Sequence, residues 1–509
     1  MKSNNVLSFK YLFAVVICPL AFLFFVIFCD IEPGKPQITY TLAIAILMAA
    51  WWITEIIPLA ITSLLPVVLF PLFGIMDGKD VSATYFNHVI FLFIGGFLVA
   101  LAMQKWDLHK RIALKILMIT GVSPGRILMG FMLATAFLSM WISNTATTMM
   151  MIPILISIIQ KLEESIGKED TSKYSIGLLL GVAYSASIGG IATLVGTPPN
   201  LSFTRIFQIM FPAAPEISFA QWFLFALPVS VVFFFIVWTF LYFKFKTNKK
   251  NWANMNLQSI KNQYHELGPM SYEEKVVFID FIVLALLWLF RSDIRIGSFT
   301  LSGWSSIFNY PKYINDGTIA IALSIILFLI PSKNNNCRRI MNWDTASKLP
   351  WNIVLLFGGG FALATGFKES ELSLWFGNEL NWIVSLHPIF IIAIIAFMMT
   401  FLTELTSNTA TTEMILPVLA GISITTEINP LFLMLPATLS ASLAFMLPVA
   451  TPPNAIIFGT NRIKIIDMAK TGLILNLIGV IIITLACYFI GQYIFDIDIN
   501  VFPDWAKIN

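Results

Sequence analysis

The hexapeptide Ser143-Asn144-Thr145-Ala146-Thr147-Thr148 recurs, residue for residue, as Ser407-Asn408-Thr409-Ala410-Thr411-Thr412, 264 positions later (407 minus 143). A proline follows each serine ten places on, at Pro153 and Pro417, and both copies sit inside apolar helical sequence with no lysine or arginine beside the motif. Polar side chains are costly to bury in hydrocarbon, so a polar knot that occurs twice marks a site.

The same interval reaches upstream, pairing Asp80 with Asp344, Gly96 with Gly360 and Phe97 with Phe361. Downstream the repeat continues after a ten-residue deletion: Thr197-Pro198-Pro199-Asn200 answers Thr451-Pro452-Pro453-Asn454, 254 positions apart (451 minus 197). Two consecutive prolines remove two backbone donors and push the residue before them out of helical geometry, so each half carries a discontinuous helix. Unpaired backbone at membrane depth is tolerated only where it lines a cavity or binds something. Duplicated, interrupted apolar segments point to a secondary transporter with its site at the repeat interface.

Composition sets the class. Of 509 residues, 58% are hydrophobic and 12% charged, and a mean hydropathy of +0.82 excludes a soluble globule, whose surface needs more charge. The chain reads as an all-α polytopic membrane protein. A net charge of +3 gives no reason to expect nucleic acid as a partner. Cys18, Cys29, Cys337 and Cys487 lack metal spacing, and His88, His109, His265 and His387 are scattered, so no zinc or histidine-based catalytic cluster is expected and the chain reads as not an enzyme. No His-Glu-x-x-His is present to suggest an intramembrane hydrolase.

Apolar runs long enough to cross roughly 30 Å of hydrocarbon predict about eleven transmembrane helices plus two re-entrant hairpins. An N-terminal segment, 1–37, holds a first span, Tyr11 to Cys29, read as retained rather than as a cleaved signal because it is long and lacks a small-residue cleavage site. The first repeat, 38–243, contains spans Ile38 to Ile57, Pro58 to Gly74 and His88 to Gln104, an amphipathic interfacial helix Lys105 to Met118, a hairpin over 123–161, a broken helix over 174–211 and the span Trp222 to Tyr242. A cytoplasmic linker, 244–275, leads to the second repeat, 276–495. That repeat holds spans Val276 to Phe290, Thr318 to Ile330 and Asn352 to Phe367, a surface helix Lys368 to Ile383, a hairpin over 388–424, a broken helix over 431–458 and a last span Thr471 to Phe495. An external tail, 496–509, closes the chain. Lysine and arginine collect in Lys105 to Lys115, Lys244 to Lys261, Lys333 to Lys348 and Arg462 to Lys470, which the positive-inside rule makes cytoplasmic. The N-terminus is then inside and the C-terminus outside, and the two repeats have opposite orientation, which makes the architecture an inverted repeat.

A hairpin tip sets short polar side chains beside helix ends. Carbonyl, hydroxyl and amide oxygens suit a hard cation, and helix N-termini suit an anion, so one tip holds both. Ser139 and Thr403, again 264 apart, sit one turn below each tip and add a hydroxyl on the same face. With no cationic side chain in either knot or break, bound cations and helix dipoles must compensate an anionic substrate, which ties substrate affinity to cation occupancy.

The two Ser-Asn-Thr knots, the two Thr-Pro-Pro-Asn breaks and Trp51-Trp52-Ile53-Thr54-Glu55-Ile56-Ile57-Pro58 resemble the divalent anion/sodium symporter family, over nearly the whole chain from about Thr41 onward. The resemblance implies a homodimer in the plasma membrane, with a static scaffold domain and an elevator-type transport domain, no cofactor, and sodium ions as coupling ions. It implies a first sodium site of Ser139, Ser143, Asn144 and the carbonyl of Gly196, and a second of Thr403, the carbonyl of Thr406, Asn408 and the carbonyl of Ala450. Substrate carboxylates would meet Ser143, Asn144, Thr145, Thr197 and Pro198 on one side and Ser407, Asn408, Thr409, Thr451 and Pro452 on the other. The function expected is sodium-coupled import of C4-dicarboxylates such as succinate, malate and fumarate. The alternative is a same-fold anion exchanger, or a carrier for citrate or sulfate.

Three acidic residues stand apart from these sets. Glu55 reads as a structural hydrogen-bonding residue ahead of an ion-transfer group, Glu404 as a satisfied interior carboxyl ahead of a proton-coupling or sodium-tuning group, and Glu413, one turn past the second tip, as facing away from the substrate. The runs Gly95-Gly96 and Gly358-Gly359-Gly360 read as close helix packing, since no Gly-Lys-Ser/Thr follows them.

Overall fold

A backbone surrounded by hydrocarbon must satisfy its own polar groups, so the long apolar runs become helices. A computed structural model describes residues 12–121, 123–246, 258–296, 299–335, 337–380, 386–498 and 501–507. Lys2, Lys10 and Tyr11, the linker's Lys249 and Lys250, residues 381–383 of the expected surface helix, and 499–500 and 508–509 of the tail lie outside the described residues.

In chain order the helices of the first half are α1 (Cys18–Phe28), α2 (Pro36–Thr54), α3 (Leu59–Thr62), α4 (Leu65–Leu72), α5 (Gly78–Ala83), α6 (His88–Lys105), α7 (Leu108–Thr120), α8 (Pro124–Ser139), α9 (Asn144–Ile166), α10 (Lys168–Gly190), α11 (Pro198–Met210) and α12 (Phe219–Lys244). After α13 (Gln258–Glu266) come α14 (Tyr272–Leu289), α15 (Asp316–Leu329), α16 (Trp343–Ala346), α17 (Trp351–Glu369), α18 (Leu372–Glu379), α19 (Pro388–Leu402), α20 (Asn408–Thr426), α21 (Pro430–Ala441), α22 (Pro452–Phe458), α23 (Ile465–Leu485) and the short α24 (Gln492–Ile494). The loop between α14 and α15 carries a two-stranded antiparallel hairpin, β1 (Ile294–Ile296) with β2 (Phe299–Leu301). Buried Arg291 pins that loop, bonding Asp316, Glu216 and the Ile314 carbonyl.

Among the described residues five helical stretches are long and apolar enough to cross a membrane, or six if α17 and α18, bent by 71° at their junction, form one span. Six more apolar helices of the described residues are shorter, at 10–17 residues. The expected span Pro58 to Gly74 is divided at Ser63-Leu64, and the expected surface helix at Lys368 is corrected: Lys368 still belongs to α17, and the bend falls at Ser370-Glu371. Glu371 takes a left-handed φ of 60°, which ends one helix and redirects the next. The helix expected over Lys105 to Met118 forms as α7, where Arg111 donates two bonds to Glu274 at the start of α14, at 2.8 and 2.9 Å. Those bonds from Glu274 push the Arg111 guanidinium further up from its ordinary range.

Glycines let backbones touch where the sequence reading places close packing. A Cβ on Gly95 would stand 2.5 Å from that of Ala320 on α15, one on Gly358 would enter the Tyr85 ring, and one on Gly359 would meet the Ser63 backbone. Outward faces carry Leu20, Phe24, Ile27, Phe28 and Leu72, all well exposed, as expected of surfaces that meet lipid rather than water. Glu55 departs from expectation. It ends α2 with φ 49° and an exposed side chain that has no hydrogen-bond partner among the described residues. The polar contacts of that stretch come from its tryptophans, Trp51 to the Ala14 carbonyl and Trp52 to the Leu59 carbonyl and Ser63.

Candidate functional site

Each knot forms at the junction of two helices. α8 ends at Ser139, and α9 begins at Asn144 with Ser143 as its cap, the Ser143 hydroxyl accepting from the Ala146 amide at 3.3 Å. The Ser139 hydroxyl donates across the tip to Asn144 Oδ1. The tip lies directly on the first break: a Cβ on Gly196 would stand 2.4 Å from the Gly190 carbonyl oxygen and 3.0 Å from that of Ser139. A Cβ on Gly190 would stand 2.6 Å from Asn144 Oδ1 and 3.2 Å from the Gly196 carbonyl oxygen. Three carbonyl oxygens and an amide oxygen thus crowd a space that only glycine leaves open, a donor set of the kind hard cations prefer.

The second knot repeats the arrangement. α19 ends at Leu402, α20 begins at Asn408 after Ser407, and the Thr403 hydroxyl lies 2.8 Å from both Asn408 Oδ1 and the Ala441 carbonyl at the end of α21. One hydroxyl has one proton to give, so one of those two oxygens keeps a free lone pair. The Thr406 hydroxyl contacts the hydroxyl of Thr411 and the Leu402 carbonyl. Thr197 and Thr451 stand at the N-cap positions of the helices that restart after each break, Thr451 alone making the capping bond through its hydroxyl, which accepts from the Asn454 amide at 3.4 Å, and Ala450 is buried beside Thr451. Thr197 also reaches Ser442 of the other half at 3.4 Å, so the two broken helices meet at their interruptions. Thr145 is half-buried and Thr409 buried; Pro198 is half-buried and Pro452 exposed.

Both breaks are stapled by the asparagine of Thr-Pro-Pro-Asn. Asn200 Nδ2 donates to the Thr193 carbonyl at 2.7 Å and the Gly190 carbonyl at 3.4 Å; Asn454 Nδ2 donates to the Leu447 carbonyl at 3.1 Å and the Ala444 carbonyl at 3.0 Å. These partners correspond in the repeat. The second interruption is longer than its sequence suggests, since α21 stops at Ala441 rather than running to Val449. Glu404 explains this: its carboxylate accepts from the amides of Phe445, Met446 and Leu447 at 2.7, 2.8 and 3.0 Å and from Asn476 at 2.7 Å. It is the satisfied interior carboxyl the sequence suggests. In the first half, Met140 holds the matching position and the tie reverses, with the Thr193 hydroxyl donating to the Met140 carbonyl.

Beyond the restarted helix α11, a cavity of about 560 Å³ is lined by Asp77, Asp80, Thr84, Arg205, Lys368 and Glu369, among others. The cations nearest the first break, Arg205 and Lys368, therefore lie past it rather than in it. Lys368 closes this end by donating to the Ile209 carbonyl at 2.9 Å.

The family model described as the sodium:sulfate symporter transmembrane region matches residues 10–496. The chain belongs to this symporter family. Two of its relatives are named sodium-dependent dicarboxylate transporter SdcS. The one from Staphylococcus saprophyticus is 43% identical over 505 residues, covering 98% of this chain and 95% of the relative. That from Staphylococcus aureus is 44% identical over the same share of both. Among solved structures, the YdaH transporter of Alcanivorax borkumensis matches with a TM-score of 0.57 at 13% identity, covering 89% of this chain and 99% of that one. MtrF of Neisseria gonorrhoeae matches with a TM-score of 0.55 at 12% identity, over 92% and 97%. At such identities the likeness concerns the fold.

In this symporter chain several site residues escape a motif reading. Gly190 and Ser442 lie outside the knots and breaks as sequence defines them, and Asn200 and Asn454 look like mere ends of a proline motif. For the two asparagines the signal is recurrence, since they sit 254 apart, as do the carbonyls they hold; Gly190 and Ser442 answer Ala444 and Ile188 and carry no such signal.

Proposed function

We propose that the chain is a sodium-coupled importer of C4-dicarboxylates such as succinate, malate and fumarate. The observation that carries this reading is the pair of cross-tip bonds, Ser139 to Asn144 and Thr403 to Asn408, each set against a helix interruption without a cationic side chain. In this reading Ser139, Ser143, Asn144 and the Gly196 carbonyl hold one sodium ion, and Thr403, the Thr406 carbonyl, Asn408 and the Ala450 carbonyl hold another. The substrate carboxylates meet Ser143, Asn144, Thr145, Thr197 and Pro198 on one side and Ser407, Asn408, Thr409, Thr451 and Pro452 on the other, with the N-terminal amides of α9 and α20 pointing at them; α11 and α22 open on two prolines each and contribute only their helix dipoles. The ions supply the positive charge, and so the anion binds well only after them. The printed names of the relatives, which pair sodium with dicarboxylate, support this substrate class.

The same reading makes the protein a homodimer with eleven crossings in the plasma membrane, amino terminus inside, in which the hairpins and broken helices travel as one body against a scaffold. Support comes from an asymmetry between equivalent positions. Val195 and Val449 correspond in the repeat, yet Val195 is 7% exposed and Val449 79%. Two like halves in unlike surroundings are what alternating access requires of an inverted repeat. The deciding experiment is radiolabelled succinate uptake into proteoliposomes, with and without an inward sodium gradient, competed by citrate and sulfate. Uptake that ignores sodium, or that citrate or sulfate displaces far better than malate, defeats the proposal.

A further inference from the structure

Glu413 stands one turn beyond Thr409 in α20, is 0% exposed, and has no cationic partner among the described residues. Its Oε1 accepts from the Ser202 hydroxyl of α11 at 3.0 Å, and its Oε2 has no hydrogen-bond partner. The carboxyl lies flat against α17: a Cβ on Gly360 would stand 2.2 Å from its carboxyl carbon and 2.4 Å from Oε2. One side chain therefore joins the helix after the second tip, the helix after the first break, and α17, which is neither a hairpin arm nor a broken helix and so falls to the scaffold in the proposed mechanism.

An ionised carboxylate in such a place costs several kcal/mol unless a cation or several donors meet it. A hard metal ion needs on the order of six oxygen ligands, and Gly360 presses on the very oxygen that would receive it. A proton needs no such room. We propose that Glu413 is a proton-binding site, occupied in this conformation, and that the neutral acid is what lets α11 and α20 pack on α17. The corresponding position in the first repeat is Met149, 60% exposed, so this site is no part of the duplicated cation machinery.

The elements packed on α20 are α2, α11, α17, α18 and α21. Their titratable and charged groups are Tyr40, Arg205, Lys368, Glu369 and Glu379, and among the described residues none of them is bonded to Glu413. Arg205, Lys368 and Glu369 line the charged cavity instead. Tyr85 packs on Gly358 of α17, and its hydroxyl is committed to the Ser63 carbonyl at 2.5 Å. Loss of the proton at high pH would leave a bare charge against Gly360 and loosen this packing.

The test is infrared spectroscopy of the purified full-length protein near neutral pH, comparing wild type with Glu413→Gln. The expected result is a protonated carboxylic acid band that shifts in D2O and is missing from the variant. Ser202→Ala serves as a second comparison and should move that band to higher frequency without removing it, because the carbonyl loses its donor. Succinate uptake, which rests on the proposed transport function, adds a pH profile above neutrality, where succinate is fully ionised. Wild-type uptake should fall by up to about tenfold per pH unit once the site empties, and the Glu413→Gln profile should be flat. A band that survives in Glu413→Gln, a band unmoved in Ser202→Ala, or identical pH profiles overturn the proposal. The infrared comparison needs no transport, so it separates this failure from that of the function.

Discussion

Asn144 and Asn408 each close a tip through one oxygen, and each is the first residue of its helix. Replacing either with alanine removes an amide oxygen from the cage while leaving the helix start intact. N144A and N408A should each lower sodium-driven succinate uptake by at least about a hundredfold, the scale of losing roughly 3 kcal/mol of coordination, while remaining monodisperse on size exclusion. Full uptake by both variants would remove the tips from the site. The stapling asparagines behave otherwise. N454A strips the Ala444 and Leu447 carbonyls of a buried donor, at a cost of about 1–3 kcal/mol, which should appear as a lowered apparent melting temperature in detergent.

At the scale of elements, the second interruption depends on Glu404, which replaces helical hydrogen bonds for three consecutive amides. E404A should destabilise the protein by roughly 3 kcal/mol, since the buried amide of Phe445 and the half-buried amides of Met446 and Leu447 lose their acceptor together, and E404Q by less. If calorimetric or fluorescence melting placed both variants at the wild-type midpoint, the carboxylate would not be what holds residues 442–451 open. Helix contacts make a second demand. A Cβ at Gly421 would meet the Ser373 carbonyl oxygen at 1.8 Å, where α20 crosses α18. G421A should therefore cost about 1–3 kcal/mol through overpacking, again read as a lower melting midpoint.

For the whole molecule, cation binding and folding are linked. A ligand that binds the folded state alone stabilises it by about 2.7 kcal/mol at a hundredfold excess over its dissociation constant. Sodium should therefore raise the melting temperature where an equal concentration of potassium does not, and succinate should add a further rise only when sodium is present. The double variant N144A/N408A should lose both shifts. Succinate protection of the wild type in sodium-free buffer would contradict the order of binding.

What the chain determined alone was the repeat: two knots at one interval, two breaks at a slightly shorter one, and enough apolar sequence to demand helices. Periodicity and proline chemistry are local, so the helix starts at Asn144 and Asn408 and the restarts at Pro198 and Pro452 were legible without any partner. Tertiary structure decided the rest. The length of the second interruption hung on Glu404, forty-one residues from Phe445, and the exposed side chain of Glu55 contradicted the bonding role its motif suggested. The apposition of Thr197 with Ser442, and of Glu413 with Ser202 and Gly360, could not be read along the chain. Such contacts depend on which faces of distant helices come together, and a sequence period specifies a face without specifying what it will meet.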